Sequence, residues 1–205
     1  MNRTIKSIIP TIAILVLTLG TTGAYAYYTA QTETTQNAFN IVAGGGTTGI
    51  NGGTLGTVEE SFDPNTAKDL EPRDTFDKKA KLVSNVEYSS YAYLCVTVPN
   101  VNARLSGDTA KSYRDAVTLD FDTLNWTLVK KTEGSGSKPT KYLYRYQTIL
   151  PSGGKTTDLF KKATVPDFVE SEGVSGSIDV TGYMLSSVNV TTTEADGSAI
   201  ANFFS

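Results

Sequence analysis

The chain has 205 residues, 39% of them hydrophobic and 19% charged, with a net charge of −3, a single Cys and no His. That balance fits a folded domain and excludes a disordered chain, an intramolecular disulfide framework and a basic nucleic-acid footprint. The lack of His removes the commonest general base and the usual zinc ligand.

Residues 1–26 carry Arg3 and Lys6, then the apolar run Ile8–Leu19, then Ala24-Tyr25-Ala26. A charged start, a short apolar middle and an A-x-A end predict an exported signal peptide, with Ala24, Ala26 and Tyr27 forming the cleavage site. A permanent membrane anchor is the alternative, but the apolar run is shorter than the roughly 20 residues a spanning helix needs. Cleavage leaves about 180 residues, enough for one domain. Its charge would be about −5, since two cations leave with the signal.

The mature chain then begins with a Thr- and Gln-rich segment, Tyr27–Val42, closed by Gly44-Gly45-Gly46. It is strand-prone but polar, with Tyr28, Ala30, Phe39 and Ile41 among its apolar positions. Residues 27–46 therefore read as an N-terminal strand and glycine linker, and 47–205 as the domain proper. The strand either folds back as an edge of its own sandwich or adds to a neighbouring molecule. The glycines lack the Lys and following helix of a phosphate loop.

Within the domain, Leu55–Phe62 and Thr75–Ser84 read as strands, separated by a break at Asp63-Pro64-Asn65. Tyr91–Val98 alternates with apolar residues on both faces, which predicts a central strand ended by Pro99. Cys95 on that strand is expected to be structural and inert. Ser106–Val117 reads as the one short helix, followed by strand character over Val117–Phe121. Asp120 and Asp122 share a strand face, which suits either a hard cation or solvated edge charges. Trp126–Lys131 and Lys141–Leu150 form a predicted hairpin around the loop Glu133–Thr140. Tyr142, Tyr144 and Tyr146 line one of its faces, as a core layer or a stacking platform for sugars or bases. Pro151–Gly154 is a turn, the stretch Ala163–Val169 a strand, and Gly176–Val190 the last long segment. Many short strands with Gly, Pro and Asn turns predict an all-β, two-sheet sandwich of jelly-roll type.

Several motifs, in one order, carry a family resemblance. The junction Gly23-Ala24-Tyr25-Ala26-Tyr27-Tyr28, with Asn37-Ala38-Phe39 after it, resembles the signal and mature start of the camelysin/TasA family. Val58–Pro64, Leu70-Glu71-Pro72 and Ala92-Tyr93-Leu94 resemble the block running through its "DLxPGD" turn to its "AYVRV" strand. Trp126, Tyr142–Tyr146, Gly153-Gly154-Lys155-Thr156 and Leu159-Phe160 resemble its second half. The chain departs from the pattern at Arg73, where Gly is usual, and at Asn85-Val86-Glu87, which lacks the usual Asn-x-Gly.

The resemblance implies an exported jelly-roll protein of a Gram-positive bacterium, processed by a dedicated signal peptidase. It also implies assembly into biofilm matrix fibres, in which the N-terminal strand of one subunit completes a sheet of the next. The expected partners are other copies of the chain, and beyond them other matrix proteins or the cell wall, with no nucleic acid. No cofactor, metal or catalytic residue is expected. A peptidase, as some camelysin relatives have been classed, lacks the His ligands it would need. A monomeric surface-binding or adhesion module is the remaining alternative.

Overall fold

The computed structural model describes residues 56–62, 70–171 and 177–204. Eleven strands occur there: β1 Gly56–Phe62, β2 Thr75–Ser84, β3 Ser90–Val98, β4 Asn100–Leu105, β5 Ser112–Asp115, β6 Thr118–Leu119, β7 Trp126–Thr132, β8 Thr140–Tyr146, β9 Lys162–Thr164, β10 Phe168–Ser171 and β11 Asp179–Ser186. One helix, α1, spans Thr192–Phe204. The strands form antiparallel sheets in the orders β1-β2-β9-β6, β10-β4-β5 and β11-β3-β8-β7.

The inward faces of all three sheets meet in one apolar cluster. Phe76, Ala80 and Leu82 of β2 enter it opposite Ala92, Leu94, Val96 and Val98 of β3, with Val101 and Ala103 of β4 and Val180 and Met184 of β11. The protein is thus a mostly antiparallel β-structure built as a sandwich. Three sheets stand where two were expected, because the chain passes from β3 to β4 through Pro99. A proline has no N–H to donate to a ladder, so β3 ends there and the next residues pair elsewhere.

The central strand is β3, as its two apolar faces predict: β11 pairs with one side and β8 with the other. Its second face holds Tyr93 and Cys95, and these join Leu143, Tyr183 and Leu185 beneath α1. The hairpin β7–β8 also forms as expected, with a bulge between Leu128 and Lys130.

The helix expected over Ser106–Val117 is absent, and the single helix lies at the C-terminal end instead. Gly107 takes a left-handed turn (φ 95°). Asp108 accepts the backbone N–H of Leu105 at 3.2 Å and so closes that turn. The chain returns as β5, paired in register with β4 from Asn100–Asp115 to Ala103–Ser112. The strand expected over Ala163–Val169 is cut in two around Pro166, leaving β9 and β10.

Arg73 adopts φ 76°. Pro72 before it presets the first corner of a type II turn, and Asp74 N–H closes the turn on the carbonyl of Glu71 at 3.1 Å. A left-handed Arg is strained relative to Gly. Here its N–H is held by the carbonyl of Val165 at 3.0 Å and its guanidinium by Asp167.

Candidate functional site

The expected cleavage residues Ala24, Ala26 and Tyr27 lie outside the described residues, as do the assembly-strand positions Tyr28, Ala30, Phe39 and Ile41. The functional reading therefore turns on what the described body offers a strand, and on the side chains singled out within it.

Those side chains are occupied structurally. Asp120 Oδ1 accepts the backbone N–H groups of Lys161 and Lys162 at 2.8 and 2.6 Å. Asp122 accepts from the side-chain amide of Asn125 at 2.7 Å and from two backbone N–H groups, which hold its carboxyl below the ordinary range. Both staple turns. The tyrosine row forms a core layer: Phe121 sits 5.2 Å from the Tyr142 ring and 4.6 Å from that of Tyr144, and Trp126 lies 5.1 Å from Tyr146. Tyr142 reaches the rim and donates its hydroxyl to Asp115. Cys95 is buried, and burial pushes its thiol up to about 11, far from a reactive thiolate at neutral pH.

The sheet edges differ more informatively. Natural edges are blunted by shortness, bulges or lysines. β6 has two residues and β5 four, while β10 is short and bulged against β4. β7 is bulged and carries Lys130 and Lys131. By contrast β1 and β11 have seven and eight residues, no Lys and no Pro, and both register runs are unbroken. Among the described residues each stands at the end of its sheet, and the two lie alongside one another without a ladder between them.

This β1/β11 seam has a defined chemistry. At one end Gly56 packs so closely that a Cβ would fall 2.7 Å from Met184 Sδ and 2.7 Å from the carbonyl of Val83. At the other, Phe62 stacks edge-on against Phe76 with ring centres 6.0 Å apart. Between them, the Lys78 side chain turns inward and its Nζ lies 3.4 Å from Glu60 Oε1, with only 2% of the lysine side chain exposed. The Phe62 ring covers the ammonium at 5.4 Å. Burial pushes the Glu60 carboxyl above its ordinary range against the pull of Lys78, and the charge of Asp179 on β11 adds to the rise. Outside, Glu59 binds Lys81 at 3.1 Å and Lys155 at 3.4 Å.

Sequence reasoning passed over the Lys78–Glu60 pair, although the signal was present. In Thr75–Ser84 the inward set is Phe76, Lys78, Ala80, Leu82 and Ser84, so period-two alternation places Lys78 on the core face. Compared with family models, curated proteins and solved structures, the chain matches none.

Proposed function

We propose that this chain is an exported structural subunit of an extracellular fibre, of the camelysin/TasA kind, which polymerises by donating its N-terminal strand. In this reading residues 1–26 are a signal peptide removed by a dedicated peptidase after Ala26. The sandwich is of jelly-roll type, the role is structural rather than catalytic, and the product lies in the matrix or on the surface of a Gram-positive cell. Other copies of the chain are its first partners.

The observation that carries this reading is the pair of unbulged edges without Lys or Pro, β1 and β11, lying together among the described residues on a body whose other edges are short, bulged or lysine-bearing. A donor strand needs such an edge, because backbone hydrogen bonds supply its affinity and alternate side-chain contacts its specificity. The edge follows the segment proposed to be donated after a glycine-rich stretch. A head-to-tail contact of this kind does not close, so it generates filaments.

The test compares the mature protein starting at Tyr27 with a form lacking Tyr27–Ala43, by light scattering and negative-stain microscopy. Filaments from the first and monomers from the second are expected. Monomers from both at high concentration would overturn the proposal and favour a surface-binding module.

A further inference from the structure

We propose that Lys78 and Glu60 condense into an intramolecular amide, a covalent staple between strands β1 and β2. This goes beyond assembly and does not depend on it. In the β1–β2 register Phe62 faces Lys78 and Glu60 faces Ala80, so Glu60 and Lys78 are diagonal neighbours on the pair. Long side chains reach across that diagonal, and here Nζ and Oε1 meet at 3.4 Å.

Lys78 is among the largest fully buried side chains, in the company of Phe62 and Phe76. Nζ is almost wholly removed from water, whereas the Glu60 side chain keeps 24% of its exposure. Burial and the charge of Asp179 raise the Glu60 carboxyl, which favours the acid form that the condensation needs. Passing one proton from Nζ to the carboxylate supplies the amine and the acid.

The step balances without an oxidant or a cofactor. The Nζ lone pair attacks Glu60 Cδ, and a C–N bond forms. The C–O bond to the acid hydroxyl breaks, and that hydroxyl leaves with one amine proton as water. The neutral amide removes the buried charge of Lys78 together with the partly exposed charge of Glu60. It also ties an edge strand to its neighbour in a chain whose single Cys permits no internal disulfide.

The decisive measurement is the intact mass of the purified full chain under denaturing conditions, followed by tandem mass spectrometry of its digest. The expected result is a chain one water lighter than its sequence, with peptides bearing Glu60 and Lys78 joined. Lys78 should also be lost from amine labelling of the denatured protein. The Lys78→Met variant should show its full calculated mass. A wild-type chain of full mass after prolonged incubation would overturn the proposal, and so would a missing water located on any other peptide. The wild-type mass decides the matter even if Lys78→Met fails to fold.

Discussion

The two faces of the sheet β11-β3-β8-β7 are covered in different ways. Its inner face meets the other sheets through small and aliphatic side chains, Ala92, Leu94, Val96 and Val98, all essentially inaccessible. Among the described residues its outer face is covered by α1, over Tyr93, Cys95, Leu143, Tyr183 and Leu185. A helix of 13 residues is marginal on its own, and this one carries Gly197 in its interior. It is held by polar ties around the rim. Tyr93 donates to Asp196 at 2.9 Å, Arg145 pairs with the same carboxylate, and Lys141 Nζ donates to the carbonyl of Phe203 at 3.1 Å. Lys130 lies over the Phe204 ring at 4.7 Å. Buried area dominates the inner cover, with a rim tie from Tyr142 to Asp115, while the outer one depends on its clamps, so the two should fail separately.

The largest expected effect is on the inner face. Leu94→Ala removes a fully buried side chain between two sheets that cannot close the gap, and should cost about 2–5 kcal/mol. Leu143→Ala makes the same deletion under α1, where the helix can settle into the space, and should cost less. Urea unfolding of both variants measures the difference, and equal losses would contradict it.

The next effect separates the faces by pH. Burial raises the Cys95 thiol to about 11, from an ordinary value of 9.0. The folded state then holds its proton where the unfolded chain releases it. That contribution to stability is fully present below about 9 and is lost as pH rises towards about 11, by at most about 1.4 kcal/mol per pH unit. The measurement compares wild type with Cys95→Ala, in which the loss specific to the thiol should vanish.

How much of this was legible depends on what each segment packs against. β2 was readable to the residue, and β3 to within one, because their alternation is imposed by a core that both enter. The Ser106–Val117 helix failed because Gly107 and Asp108 make a turn and β4 then captures the next residues as β5. Local helical character lost to strand pairing, a tertiary effect. α1 did have a local signal. Thr191 and Glu194 form a reciprocal capping box: Glu194 Oε2 accepts the Thr191 N–H at 2.8 Å, and Thr191 Oγ1 accepts the Glu194 N–H at 3.3 Å. The helix behind that box is rich in Ala and short polar residues and has only a thin apolar stripe, so periodicity was weak. The clamps on Asp196 come from β3 and β8, more than 50 residues away in sequence, and no local pattern encodes them. The β1/β11 seam is likewise a product of topology. Its two strands were readable one by one, and the inward position of Lys78 was there to be read, but their juxtaposition was not.

The smallest effect bears most directly on whether the outer cover moves alone. Asp196→Asn keeps an oxygen to accept the Tyr93 hydroxyl but removes the charge opposite Arg145. The pair is partly exposed, with 17% and 26% of the two side chains accessible, so its loss should cost only about 1 kcal/mol. If α1 opens as its own unit, nearly all of that falls on the opening step. Cys95, buried beneath the helix, reports the step through its rate of thiol labelling under native conditions. The rate should rise about five-fold in the variant, the factor that about 1 kcal/mol represents, while the urea midpoint moves little. If labelling instead follows global unfolding in both proteins, the helix is part of the cooperative core, and the two faces of the sheet are one structure.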